Sequence, residues 1–217
     1  MAKAFTRIGK DIAIAVKAGG GDPDSNARLR TCIQNAKAVN MPKDRVEAAI
    51  KRATQKDTAA YEEVTYEGYG AHGVAIVIDT ATDNPTRTIA NLRTICNKNG
   101  GVIGTQGSVE YMFKKRALFK FPKGNWNPEE LELELIDGGL SELHDEEGVL
   151  TAYADFTDFG NLAKALEAKG IEVTESAYEK IPDFYKELSD TEAEEVIKLI
   201  EKLEEDEDVQ QVFHNMK

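Results

Sequence analysis

The sequence predicts a multidomain α+β protein: an N-terminal three-helix domain followed by two ferredoxin-like α+β domains, one inserted in the other. Three observations predict it. Apolar residues recur at helical spacing through residues 1–54, and from Tyr61 onward the period shortens to that of strands. Setting residues 122–182 aside leaves the order strand–helix–strand–strand–helix–strand, the split βαβ arrangement. Formal charge is +6 over residues 1–54, +2 over 55–123 and −20 over 124–217, so composition changes where the pattern does. The expected division is 1–57 for a basic helical domain, 58–121 with 183–217 for the discontinuous domain, and 122–182 for an acidic insert.

In the first part, Phe5, Ile8, Ile12 and Val16 form one helical stripe, and Gly19-Gly20-Gly21 breaks it. Asp24 or Ser25 can cap a second helix carrying Leu29, Cys32, Ile33 and Ala36. Asn40-Met41-Pro42 opens a third, with Val46, Ala49, Ile50 and Ala53 inward. Next comes a β-branched run, Val74 to Ile78, expected as a buried strand over about 74–80. Asp83-Asn84-Pro85 supplies a cap followed by Pro at the first helical position, opening a helix over 85–98. Ile89, Leu92 and Cys96 face its core side, and Asn99-Gly100-Gly101 can end it. Strands over 107–113 and 116–121 are expected as a hairpin around Lys114-Lys115. The insert reads helix 128–137, strands 140–144 and 149–155, helix 158–169 and strand 171–180, an αββαβ layer lacking one strand. Pro182 marks a boundary, and a helix over 190–204 and a strand over 209–214 close the chain.

At 217 residues, with 41% hydrophobic and 30% charged content, the chain can bury a sizeable core. No apolar run approaches the roughly 20 residues that span a bilayer. The first residues form an amphipathic helix interrupted by charge, without the apolar core and cleavage site of a signal peptide. Cys32 and Cys96 lie far apart on apolar helix faces, as buried thiols in a reducing cytoplasm do.

Net charge is −12, which by itself argues against a polyanion partner, but its distribution reverses that argument for the head. Residues 1–54 hold 11 Lys+Arg against 5 Asp+Glu. Phosphate contact needs cations on one exposed surface. The candidates are Lys3, Arg7, Lys10, Arg28, Arg30, Lys43, Arg45, Lys51 and Arg52 in the head, with Arg87, Asn91 and Lys98, which share one face of the 85–98 helix. That face is also readable as ordinary solvated surface. Tyr66, Tyr69 and Tyr111 could stack on bases, but strand packing is the reading their setting favours.

No nucleophile–base pair, Walker loop or dinucleotide fingerprint is present. His72, His144 and His214 are isolated, so neither a metal site nor a cofactor nor a catalytic residue is expected. The pairs Glu129-Glu130 and Glu146-Glu147 and the run Glu204–Asp208 read as solvated acidic surface.

Four runs carry a family resemblance: GGGDPDSNARLR (19–30), NAKAVNMPKDRVEAAIKRA (35–53), the long run from Tyr66 to Phe113, and EDEDVQQVFHN (205–215). The chain resembles the YebC/PmpR family of probable transcriptional regulators. The resemblance implies a helical N-terminal domain and two α+β domains, a cytoplasmic location, DNA binding and transcriptional regulation, with no enzymatic activity and no cofactor. It also implies an alternative, since mitochondrial relatives resemble translational activators and bacterial ones are linked to stalled ribosomes: RNA, ribosomal or messenger, and the ribosome as partners. No membrane partner or small-molecule substrate is indicated. Two departures stand out. Family members begin with a basic stretch ahead of the first helix, whereas Met1 here falls where that helix is under way, which predicts weaker nucleic-acid affinity. Gly70-Ala71-His72-Gly73 stands where a Pro often follows the first Gly, which predicts a looser turn.

Overall fold

The computed structural model describes residues 2–55 and 60–217. The expected boundary at 57/58 lies outside the described residues. Three helices come first: α1 (Ala2–Gly19), α2 (Ala27–Ala38) and α3 (Lys43–Thr54). They close on a core of Ile12, Ala15, Val16, Leu29, Cys32, Ala36, Val46 and Ala53, the stripes that periodicity selects. The cap of α2 is Asn26, not Asp24 or Ser25. Its side-chain oxygen accepts from the Leu29 N–H at 3.0 Å, while its amide donates to Ala15 O and Gly20 O at 2.8 Å each. One buried side chain thus satisfies the end of α1 and the start of α2.

The first sheet is antiparallel with strand order β3-β1-β2-β8, from β1 (Glu62–Tyr69), β2 (Ala75–Thr82), β3 (Val102–Ile103) and β8 (Val209–His214). All eight residues of β2 are buried, which explains its unbroken apolar run. One face packs under α4 (Pro85–Lys98) and α7 (Asp190–Glu205), with Ile76, Ile78, Leu92, Cys96, Val196, Leu199 and Leu203 at the centre. On the other face Ala75 and Val77 meet Val109 and Phe113. Asn84 caps α4 by accepting from Arg87 N–H at 3.1 Å, and Pro85 is its first residue, as expected.

The second sheet, also antiparallel, has the order β5-β6-β4-β7, from β4 (Phe113–Pro122), β5 (Leu140–Glu146), β6 (Val149–Asp155) and β7 (Glu175–Pro182). Helices α5 (Pro128–Leu135) and α6 (Phe159–Ala168) cover one face over Phe119, Phe121, Leu131, Leu135, Leu150, Leu162 and Leu166.

Four strand expectations are corrected here. There is no hairpin at Lys114-Lys115. A 3-10 turn over Glu110–Met112 runs straight into the single strand β4, because nothing between Phe113 and Arg116 supplies the positive-φ residues a tight hairpin needs. Residues 107–110 are unavailable for a strand, since Gly107, Val109 and Glu110 give their N–H groups to the Glu67 carboxylate. The first sheet instead takes β1 and β3, which the pattern missed. Glu62, Glu63 and Glu67 mask the alternation of β1, and β3 is two residues long. β4 hydrogen-bonds to β6 and β7, so a division at 121/122 would cut it from its own sheet; grouping by sheet places the division ahead of Phe113. The acidic layer thereby gains its fourth strand and reads βαββαβ, the complete split βαβ order. The last strand of that layer starts at Glu175, not 171, because Ile171 N–H still closes α6 onto Leu166 O at 3.0 Å.

The turn at His72 is not loose. His72 sits at φ 59°, and its ring nitrogens lie 2.9 Å from Glu195 and 3.5 Å from Glu192, pinning the turn to α7.

Candidate nucleic-acid interface

The predicted binding residues separate into two sets. Lys10 is only 7% exposed. Its ammonium donates to Asp208 Oδ1 at 2.8 Å, Glu207 O at 2.7 Å and Ala81 O at 2.9 Å, which uses all three of its hydrogens. Arg7, on the same side of α1, donates to Glu204 O at 3.2 Å. Arg28 makes a two-pronged pair with Glu63 on β1 at 2.5 and 3.1 Å. Arg30 is exposed but folds back onto the carbonyls of Pro23 and Asp24 at 2.8 and 3.0 Å. Arg87 bridges Asp83 at 2.9 Å and Asp208 at 2.8 Å, and Asn91 reaches Asp206 at 3.3 Å. These six are engaged with the protein's own oxygens. Lys10 alone of the six is buried; Arg28, Arg30, Arg87 and Asn91 are bonded in this way while exposed.

The other set faces outward. Lys43, Arg45, Lys51 and Arg52 are exposed on α3, and Lys3 is exposed near the start of α1. Val46 and Ala53 hold the inward side of α3. Arg45 and Arg52 therefore share one flank at i, i+7, and Lys43 and Lys51 the other at i, i+8. Lys43 makes a long, exposed pair with Glu47 at 3.6 Å, and the Arg45 guanidinium lies 5.6 Å from the Phe5 ring centre. Lys98 is exposed at the end of α4.

Sequence reasoning missed the residue on which the first set converges. Asp208 belongs to a run read as solvated acid, yet it is 5% exposed and takes Lys10, Arg87 and the hydroxyls of Thr88 and Thr82, the last two at 2.8 and 3.3 Å. Burial would raise its carboxyl, but the bonds from Arg87, Lys10 and Thr88 outweigh that and hold it down at about 2. A cleft of about 370 Å³ opens beside it, lined by Tyr61, Arg87, Asn91 and four carboxylates. Asp11 has the opposite fate. Burial pushes it up to about 7; Arg28 opposes the rise and Glu63 adds to it. No periodicity signals either behaviour, because both depend on what the far side of α1 meets.

Two more polar joints hold the parts together. The Asn35 amide pairs with both the N–H and the C=O of Ser176 on β7, at 2.9 and 2.7 Å, as a neighbouring strand would. Asp79 on β2 accepts from Tyr178 Oη and Lys180 Nζ on β7 at 2.8 Å each. Cys32 and Cys96 are buried, and burial pushes their thiols up to about 12 and about 11. No helix among the described residues is long and apolar enough to cross a membrane.

Comparison with known proteins matches both parts of the chain. Residues 1–56 match the domain described as TACO1/YebC protein N-terminal domain, and residues 61–216 match that described as TACO1/YebC second and third domain. A probable transcriptional regulatory protein of Flavobacterium psychrophilum is 56% identical over 100% of this chain and 92% of its own length. One of Porphyromonas gingivalis is 50% identical over 100% and 90%. The crystal structure of a conserved hypothetical protein from Aquifex aeolicus superposes with a TM-score of 0.85 at 33% identity, covering 100% of this chain and 90% of that one. With both domain matches together spanning nearly the whole sequence, the chain belongs to the TACO1/YebC family.

Proposed function

We propose that the protein is a non-enzymatic, cytoplasmic regulator of gene expression that binds DNA through the outward cations of α3. The observation that carries this reading is the division just described. Arg45 and Lys51 stand exposed on α3, while the acid-bound cations of α1 and α2 hold the head to the body. The relatives' names, probable transcriptional regulatory proteins, support a regulator. Residues 124–217, at −20, repel a polyanion, which orients the encounter toward the head. Because each phosphate contact releases counterion, affinity depends on salt.

Titrating labelled duplex DNA at several salt concentrations tests the proposal. Each of Arg45→Ala and Lys51→Ala should weaken binding and lower the slope of log K against log salt by about 1. An affinity indifferent to salt, or unmoved by both substitutions, removes it. Stronger binding to structured RNA than to duplex DNA would shift the target to RNA.

A further inference from the structure

Helix α5 is apolar on two sides. Leu131 and Leu135 enter the core of the second sheet and are fully buried. Leu133 and Ile136 point the other way, 72% and 53% exposed. The helical path runs unbroken into Ile136, at φ −54° and ψ −47°, where a 3-10 turn over Ile136–Gly138 takes over. Glu129, Glu132, Leu133 and Ile136 therefore fall at i, i+3, i+4 and i+7 and share one outward face. All four are exposed. The opposite side of α5 packs against β5 and α6.

A single exposed leucine is ordinary. This pair differs in what borders it. Residues 124–163 hold eleven Asp+Glu and no Lys or Arg. The fold brings cations from elsewhere to some of these acids: Lys169 to Glu134, Arg116 to Glu142 at 2.9 Å and Lys123 to Asp145 at 2.6 Å. Among the described residues no cation pairs with Glu129, Glu130 or Glu132. The outward face of α5 is thus two adjacent aliphatic side chains edged by carboxylates that nothing in the chain neutralises.

We propose that this face docks a basic amphipathic helix of a partner protein, with the partner's apolar stripe on Leu133 and Ile136 and its Lys or Arg side chains against Glu129, Glu130 and Glu132. Helices pack along a short apolar seam when the charges on its two borders are opposite, and the charges then choose the partner. Charge complementarity decides the occupant here. The same carboxylates repel a nucleic acid or an anionic bilayer. This chain's own outward cations lie on α3, whose exposed residues are all charged or small and offer nothing to cover the aliphatic pair. The inference is independent of the DNA reading, which concerns the opposite charge on a different helix.

The test titrates the full chain with a labelled synthetic helix of Leu and Lys whose leucines recur at i, i+3 and i+4. A peptide of the same composition in scrambled order and one with Glu in place of Lys serve as comparisons. The patterned Leu/Lys helix should bind and the other two should bind more weakly. Leu133→Ser and Ile136→Ser should each weaken it roughly 5- to 30-fold, the range of one lost apolar anchor. Both side chains are exposed, so the melting temperature should hold. Glu129→Lys combined with Glu132→Lys should weaken the Leu/Lys helix, more at low salt than at high, and admit the Leu/Glu one. Affinity unmoved by both serine variants, or a scrambled peptide that binds as well as the patterned one, overturns the proposal, since acid alone would then be attracting base. Sedimentation showing a dimer that Ile136→Ser dissolves would place a second copy of the chain on this face and overturn it equally.

Discussion

Arg7, Lys10 and Arg28 face the body of the protein, whereas Lys43, Arg45 and Lys51 face away from it. Both sets are Lys and Arg on short amphipathic helices, and both lie off the apolar stripes. They differ only in what the second side of each helix meets. For α1 that side meets α7, where Glu204 O accepts from Arg7, and the end of β2 and the turn before β8, where Ala81 O, Glu207 O and Asp208 complete the coordination of Lys10. A helix in a bundle that is itself docked has two buried sides, and hydropathy marks only the apolar one. The polar joint is then indistinguishable in sequence from a solvated face.

The sharpest way to break this comparison is to remove the carboxylate that holds Lys10 in the inward set and, separately, one cation of the outward set. Asp208→Ala leaves Lys10 buried without its counter-ion and Arg87 with Asp83 only, a change expected to cost about 3–5 kcal/mol. Lys51→Ala should stay within about 0.5 kcal/mol. Urea denaturation of both variants measures the difference. Equal losses would mean that Lys10 and Lys51 sit in equivalent surroundings.

That contrast also says where reading the sequence succeeds. The three-helix core, the Asn84 cap with Pro85, and β2 as a buried strand are all legible, because each follows from local spacing or local backbone chemistry. The partner of β4 is not. Phe113–Pro122 alternates well enough to join either sheet, and only the Glu67 clamp on residues 107–110 and the pairing with β6 and β7 decide between them. At the candidate site, the split between bonded and outward cations is not legible. Asn35 on Ser176 and Asp208 on Lys10 join residues 141 and 198 positions apart, beyond any window of periodicity.

A second, smaller effect separates the joint's two aspartates by pH. Asp208 is held at about 2 in the folded chain against 3.8 ordinarily. It therefore adds stability above pH ~4 that is lost as pH falls toward 2, about 2 kcal/mol in all. Asp11 is raised to about 7 by burial, with Arg28 opposing and Glu63 adding. Its sign is opposite: stability is fully present below about 4 and is lost as pH rises through 7. Asp11→Asn should therefore match the parent near pH 4 and exceed it near pH 8, as read by thermal melts at the two values. A parent whose stability is flat between pH 5 and 8 would refute the raised carboxyl at Asp11.

The smallest effect concerns Arg28, which belongs to both sides of the comparison. Its pair with Glu63 is bidentate but open to solvent, the two side chains being 46% and 56% exposed, so the ion pair itself is worth less than about 1 kcal/mol and is screened by salt. Yet Arg28 is also the cation that restrains Asp11. Arg28→Ala should leave stability near pH 4 almost unchanged while moving the Asp11 titration upward, visible as a shifted carboxyl carbon resonance by NMR. Glu63→Gln should move it down, because removing the neighbouring negative charge eases ionisation. If Arg28→Ala left the Asp11 midpoint in place, the guanidinium would be serving Glu63 alone. The outward and inward cations would then differ in burial but not in what they do to the charges around them.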